Sequence, residues 1–147
     1  VMLEVKAKDG RGRTVKHRVE HMGDPTEIGD DGRRYVTQLT GAGELVSGLR
    51  PSLTTDYVRA TVVDADAGSR ATFDRSLVCT AADGRTVRLD DAFIVETKSG
   101  AAASPLDRWL WSAGIRPVRV SKYCTALAVL HPELPSNAWH RTIADHF

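Results

Sequence analysis

Alternating apolar and polar positions predict a chain that is rich in β-strands and ends in helices. In Val1–Lys8 apolar side chains occupy every second position from Leu3 onward, which is the period of a half-buried strand. A turn signal at Asp9–Gly12 follows, so Thr14–His21 is predicted to be the return strand of a hairpin. Further strands are predicted at Tyr57–Val63, Arg70–Val78, Thr86–Leu89 and Phe93–Lys98.

The segment Asp24–Ser52 interrupts this pattern, because it is polar and rich in glycine. A short helix around Arg33–Leu39 is expected within it. The segment is therefore interpreted as an excursion from the sheet.

The C-terminal third shows helical spacing instead. Ser104 is a good N-cap, Pro105 suits the first helical position, and Gly114 ends the helix. Apolar stripes are predicted in this helix, in a second helix from Ser121 to Pro132, and in a third after Ser136. Their members are Leu106, Trp109, Leu110 and Ala113; Tyr123, Leu127 and Leu130; and Trp139, Ile143 and Phe147. Antiparallel strands followed by segregated helices predict an α+β class, with residues 1–147 as a single domain.

The composition mainly excludes classes of protein. The chain has 147 residues, of which 41% are hydrophobic and 27% charged, as expected for a soluble globular domain. A net charge of +1 gives no whole-molecule field for nucleic acid or an anionic membrane. No apolar run approaches the roughly 20 residues of a spanning helix. Cys79 and Cys124 lie in apolar contexts without a C-x-x-C pair, so a cytoplasmic protein with reduced cysteines is expected.

Two motif interpretations are disfavoured. The string HRVEH, His17–His21, matches H-x-x-E-H, which on a helix would place both histidines on one zinc ion. On the predicted strand the two side chains would lie about 13 Å apart, too far to share a metal. No P-loop or dinucleotide fingerprint is present, so a nucleotide would not be held by backbone amides in that manner.

Each predicted strand carries charged or hydroxyl side chains at alternate positions, and cations outnumber carboxylates on these faces. The positions are Glu4 and Lys6; Lys16 and Arg18; Arg59 and Thr61; Arg70, Thr72 and Asp74; Thr86 and Arg88; Glu96 and Lys98. One interpretation is the solvated face of an ordinary antiparallel sheet. The other is a barrel with these faces inward, which would form a tunnel for a polyanion.

The start of the second C-terminal helix raises the same question. Lys122 lies in its first turn, where the helix macrodipole disfavours a cation. An anion bound there would explain Ser121 and Lys122 together, because it could interact with the hydroxyl, the free amides and the ammonium. The alternative is simple capping by Ser121 with a solvated Lys122.

Four stretches resemble a known family. They are LEVKAKDGRGRTVKHR, LRPSLTTDYVRATVVDADAGSRATFDRSL, FIVETKSG and SPLDRWLWSAGIRPVRVSKY. Together they resemble the VTC domain, the polyphosphate polymerase domain of vacuolar transporter chaperone proteins and their bacterial relatives, in the CYTH-like triphosphate tunnel superfamily. The resemblance runs over essentially the whole chain.

The resemblance implies a fold and an activity. The fold would be an antiparallel β-barrel, the triphosphate tunnel, with flanking C-terminal helices. The activity would be transfer of the ATP γ-phosphoryl group to a growing polyphosphate chain. A divalent metal, Mn²⁺ or Mg²⁺, would assist, and the partners would be ATP and polyphosphate, with no nucleic acid and no direct membrane insertion.

The resemblance also implies roles for individual residues. Lys6, Lys16, Arg59, Arg70, Lys98 and Lys122 would be catalytic and bind phosphates, Ser121 would bind phosphate, and Glu96 would hold the metal. Family members have a further N-terminal region that supplies tunnel strands, another lysine and an R-x-R pair. The chain is thus expected to be the C-terminal portion of such a domain, with an incomplete tunnel and with phosphotransferase activity in a longer parent protein.

Two other functions remain open at this point. A non-catalytic module could bind polyphosphate or triphosphate without turnover. A tunnel-fold triphosphatase would release orthophosphate. The second is disfavoured, because the E-x-E-x-K pattern typical of those hydrolases is absent and Glu4-Val5-Lys6 retains only its end.

Overall fold

A computed structural model describes residues 1–147, and the chain forms two compact units, Val1–Pro51 and Ser52–Phe147. Both contain helices and antiparallel strands, which confirms the mixed helix-and-sheet class. The strands form open sheets of two and four strands and no closed barrel. That the units belong to one domain stays a prediction.

The first unit is a hairpin followed by two helices. Its elements are β1 (Met2–Lys8), β2 (Thr14–Glu20), α1 (Gly29–Thr40) and α2 (Gly43–Ser47). The strands are antiparallel, with Lys6 directly opposite Lys16. Helix α1 approaches β1 at Gly32, where an added Cβ would lie 3.3 Å from Leu3 Cδ2, so α1 packs on the apolar face of the hairpin.

Helix α1 is longer than the sequence pattern indicates. The expected helix around Arg33–Leu39 is extended N-terminally to Gly29, where Asp30 and Asp31 interact favourably with the dipole of the first turn. Gly41 ends the helix with a φ of 68°, in the left-handed conformation that glycine adopts without strain. The added residues have low helix propensity, which hid them in the sequence.

The second unit is a four-stranded antiparallel sheet with three helices. Its elements are β3 (Leu53–Asp64), β4 (Ser69–Ala81), β5 (Thr86–Leu89), β6 (Ile94–Lys98), α3 (Pro105–Ser112), α4 (Lys122–Leu130) and α5 (His140–His146). Strand β4 is central: β3 pairs along one edge, while β5 and β6 pair with successive parts of the other edge. The strand prediction for HRVEH is confirmed for His17–Glu20, which lie in β2, while His21 follows the strand, and no helix forms there to build the zinc motif.

Helix α4 covers the core of the second unit. Leu77, Cys79, Leu89 and Ala126 form a buried cluster, so Cys79 lies in the core, whereas Cys124 is only partly buried. The predicted stripe of α4 is wrong at Tyr123, which is 45% exposed. Leu130 is buried as predicted, and Thr125, Ala126 and Ala128 are buried in addition, because small side chains let the helix lie close to the sheet. Trp109 of α3 is likewise exposed rather than buried.

A β-bulge in β4 shapes the sheet beside this core. The register shifts between Asp56 and Val58, so that Ser76 and Leu77 together oppose Tyr57. Ser76 has a φ of 53°, which is unusual for a residue with a side chain. The extra residue allows Asp74 and Leu77 to face α4 together: Asp74 contacts Lys122, and Leu77 packs with Ala126.

No helix of the chain combines the length and the apolar character needed to cross a membrane. A cytoplasmic location stays a prediction.

The bulge makes a stability prediction. Ser76→Gly should raise the free energy of unfolding by roughly 1 kcal/mol, because the left-handed conformation costs a residue with a Cβ about 1–2 kcal/mol and glycine loses part of that gain to unfolded-state entropy. Urea denaturation measures the change. Ser136→Gly, at a position without positive φ, is the control and should lower stability. Equal losses in the two variants would contradict the strain assigned to Ser76.

Candidate functional site

One face of the second unit's sheet collects most of the predicted site residues. Directly opposed residues in antiparallel strands share a face, so β3, β4 and β6 form three rows across the sheet. The rows are Arg59–Asp74–Ile94, Thr61–Thr72–Glu96 and Val63–Arg70–Lys98. We call the polar members of these rows, together with Lys122, the charged face. Successive rows lie about 7 Å apart, since same-face residues are two apart along a strand.

Asp74 lies on the central strand, in the end row of the charged face, and is fully enclosed. Its side chain has 0% exposure. Arg59 donates from Nε to Oδ1 at 2.6 Å and from Nη2 to Oδ2 at 2.7 Å, a bidentate arrangement. Lys122 Nζ lies 2.6 Å from Oδ2. A buried carboxylate needs such partners, because desolvation disfavours an unpaired charge.

The two cations hold Asp74 in its ionised form. The bond from Arg59 lowers the pKa of Asp74 most, Lys122 lowers it further, and burial opposes both. The same bond raises the pKa of Arg59. One carboxylate against two cations leaves one net positive charge at this end of the charged face.

Helix α4 delivers Lys122 to this position. Ser121 is the N-cap, and its Oγ accepts a hydrogen bond from Cys124 N at 3.3 Å, as the capping interpretation predicts. Lys122 is not solvated, however, because its side chain is 18% exposed and pairs with Asp74. The carboxylate offsets the unfavourable interaction of a first-turn lysine with the helix dipole.

Tyr57 packs against both cations. Its ring centroid lies 4.9 Å from Arg59 Cζ and 5.1 Å from Lys122 Nζ, within the range of a cation–π contact. Tyr57 lies on β3 opposite the bulge, so the irregularity of β4 occurs beside the two cations. The aromatic ring and the carboxylate together restrict the two long side chains.

The other charged side chains of this face, Arg70, Glu96 and Lys98, are exposed to solvent. Lys98 Nζ lies 3.0 Å from Glu96 Oε1, and the two side chains are 51% and 48% exposed. Lys98 is also the largest cause of the lowered pKa of Glu96. Beside Glu96, the buried hydroxyl of Thr72 has no hydrogen-bond partner.

Arg70 is placed directly opposite Lys98 across the β4–β6 pair. Opposed like charges destabilise a sheet. Arg70 is exposed and forms no ion pair, so Glu96, which pairs with Lys98, is the carboxylate that offsets this contact. The site therefore contains one opposed pair of cations with only one neighbouring carboxylate.

The first unit repeats this arrangement on its own hairpin. Lys6 lies directly opposite Lys16, and Lys6 Nζ lies 3.3 Å from Glu4 Oε1 on the same strand. Glu4 Oε2 accepts from Arg18 Nε at 2.5 Å, while Lys16 forms no ion pair. In each unit an E-x-K strand thus faces an uncompensated cation, Lys16 in one and Arg70 in the other.

The charged face offers little for a metal by itself. No group of three or more His, Cys, Asp or Glu side chains comes together in the chain. The charged face has two carboxylates. Both oxygens of Asp74 accept hydrogen bonds from Arg59, whereas the Glu96 side chain is 48% exposed and can still accept a ligand. Mg²⁺ and similar ions often bind one carboxylate together with phosphate oxygens, so Glu96 fits a metal that arrives with a phosphate ligand.

The sequence interpretation missed Asp74 and Tyr57 as parts of the site. Asp74 was recognised only as one more polar residue of a strand face. The available signal was a carboxylate in the same alternating run as Arg70 and Thr72. Its partners could not be read from the sequence, because they depend on the β3–β4 register and on the placement of α4.

The comparisons with known proteins agree with the resemblance noted above. The family model of the VTC domain matches residues 1–131. The chain belongs to the VTC domain family. The matched range contains every residue predicted for the site, and membership is consistent with a polyphosphate-related function. Searches of the curated proteins and of the solved structures found no match for this VTC domain.

The buried ion cluster of the VTC domain gives a prediction for stability. Asp74→Asn should lower the free energy of unfolding at pH 7 by about 3 kcal/mol, because two partly buried cations lose their carboxylate. The pKa of Asp74 is lowered from 3.8, so its contribution is fully present above that value and is lost as pH falls below it.

Urea denaturation at pH 7 and near pH 3 measures this effect, and the difference between wild type and variant should shrink at the lower pH. Asp145→Asn, which removes a carboxylate 3.9 Å from Arg141 in a largely exposed pair, is the control and should change stability little. A loss at pH 7 no larger than that of the control would contradict the importance of Asp74.

Proposed function

We propose that the charged face binds the phosphates of ATP and polyphosphate, and that the native protein transfers the ATP γ-phosphoryl group to a growing polyphosphate chain. The observation that supports this most is the uncompensated positive charge on one sheet face. Arg70 and Lys98 oppose each other there, beside the fixed pair Arg59 and Lys122.

A phosphate group suits the donors on this face. Arg59 uses two N–H groups on Asp74 and forms no other hydrogen bond, so part of its guanidinium is free for an anion. Lys122 likewise retains ammonium hydrogens. An anion between Arg70 and Lys98 would turn their repulsion into attraction, and guanidinium groups bind phosphate oxygens in bidentate fashion.

Phosphoryl transfer requires mainly positioning and charge neutralisation, with little covalent chemistry by the protein. In this proposal Arg59 and Lys122 bind phosphate oxygens from a fixed position, and Arg70 and Lys98 bind the next phosphates along the chain. The Ser121 hydroxyl accepts one bond from the helix and keeps its own hydrogen to donate.

Glu96 would hold a divalent metal, Mn²⁺ or Mg²⁺, through its exposed carboxylate. The ion would supply neutralisation of phosphate charge when bound. We extend the proposal to Lys6 and Lys16, whose opposed pair on the hairpin has the same need for an anion. We further propose that these strands belong to the triphosphate tunnel of the family.

A second candidate is a module that binds polyphosphate without turnover. It is favoured by the composition of the face, which consists of anion-binding cations with a single exposed carboxylate. The same observation disfavours a triphosphatase, because the charged face provides no second exposed carboxylate.

Removal of the proposed groups should abolish synthesis. Glu96→Gln and Lys122→Ala should each lower metal- and ATP-dependent polyphosphate formation by the native protein roughly 100-fold or more, since each group stabilises developing charge. Arg141→Ala, on a side chain of α5 that is 92% exposed, is the control. Unchanged synthesis in both site variants would refute the assignment of these residues.

Calorimetry separates synthesis from simple binding. Tripolyphosphate should bind the wild-type chain, with higher affinity when Mn²⁺ is present and with an affinity that falls as salt is raised. Arg70→Gln should weaken binding. Binding together with polyphosphate formation supports the polymerase, binding without turnover supports the module, and an absence of binding contradicts both.

A further inference from the structure

We propose that Asp74 is a positioning residue, which sets the phosphate-binding arrangement of Arg59 and Lys122 without touching the ligand. This inference rests on the proposed function, because it assigns a task within the same anion site. It concerns a carboxylate that carries the same sign of charge as the phosphate ligand.

Asp74 is excluded from direct contact by its burial. Its side chain has 0% exposure, and both carboxylate oxygens are bonded to the two cations. A carboxylate would also repel a phosphate. Any effect of Asp74 on an anion must therefore be transmitted by Arg59 and Lys122.

The geometry fixes both cations from one point. Arg59 belongs to β3, Asp74 to β4 and Lys122 to α4, so the carboxylate joins side chains from three elements. The bidentate contact sets the plane of the guanidinium, and Oδ2 is shared with the ammonium. The Tyr57 ring supports both cations as well.

Pre-formed cations bind an anion with a smaller loss of entropy. Lysine and arginine side chains have many rotamers, and their immobilisation opposes binding. In this structure Asp74 has already restricted them before a ligand arrives. It also reduces the repulsion between two cations held close together.

This role can be separated from a simple charge effect, because the two predict opposite signs. If Asp74 only lowers the positive potential, Asp74→Asn should bind tripolyphosphate more tightly. If Asp74 positions the cations, the same variant should bind more weakly although its net charge is higher. Asp74→Glu keeps the charge and displaces the carboxylate by one methylene, so positioning predicts a smaller loss.

The experiment is calorimetry of tripolyphosphate with the wild-type chain, Asp74→Asn and Asp74→Glu, with thermal unfolding to establish that each variant is folded. We expect Asp74→Asn to weaken binding about tenfold, the lower end of what removal of a supporting carboxylate costs at metal sites. Asp64→Asn is the control, since it removes the same charge from the end of β3, where Asp64 accepts a bond from Ala67 N.

A double-mutant cycle tests whether Asp74 acts through the cations. In the Arg59→Gln, Lys122→Gln background, Asp74→Asn should cause no further loss of affinity. A loss that persists in this background would assign the effect to general destabilisation and overturn the proposal.

The remaining outcomes distinguish failure of the proposed function from failure of the positioning role of Asp74. If the wild-type chain does not bind tripolyphosphate, the proposed function fails, and the positioning role fails with it. If it binds and Asp74→Asn binds equally or more tightly, only the positioning role is overturned. If Asp74→Asn does not fold, Asp74→Glu decides: weaker binding than wild type supports the proposal, and equal binding overturns it.

Discussion

The enclosed carboxylate of Asp74, shared by Arg59 and Lys122, is the interaction on which the rest of this structure depends. It joins the central strand of the larger sheet to the neighbouring strand and to the helix that covers the core. The bulge at Ser76 lets the carboxylate face the same helix as the apolar cluster around Leu77. Both interactions act on α4: burial of Ala126 in the apolar cluster holds the helix on the sheet, and the ion pair with Asp74 orients Lys122 in its first turn.

A second constraint appears in both units. Each has an E-x-K strand whose lysine lies opposite another cation, Lys16 on the hairpin and Arg70 on the larger sheet. Such contacts oppose folding, and sequences selected for stability alone would avoid them. Their recurrence within a VTC domain is explained if the faces are completed by an anion. Relief of the repulsion between the opposed cations would then contribute to the affinity for the anion.

The sequence predicted what depends on local patterns. The strand predicted at Thr86–Leu89 has the observed bounds, and Ser104 caps its helix as predicted, with its side chain accepting a hydrogen bond from Asp107 N. Other features depend on distant parts of the chain. The cluster around Asp74 follows from strand register, a bulge and helix placement, none of which has a signal within a short window. Tyr123 was assigned to the core by its spacing, whereas the close approach of α4 to the sheet favoured small side chains.

A crystal structure of the chain with tripolyphosphate and Mn²⁺ tests the central claim most directly. The account predicts phosphate oxygens within hydrogen-bond distance of Arg59 and Lys122, with the metal on Glu96 and with Asp74 still paired to both cations. Phosphates bound away from the charged face, or a ligand that breaks the contacts of Asp74 and binds it through the metal, would contradict the account.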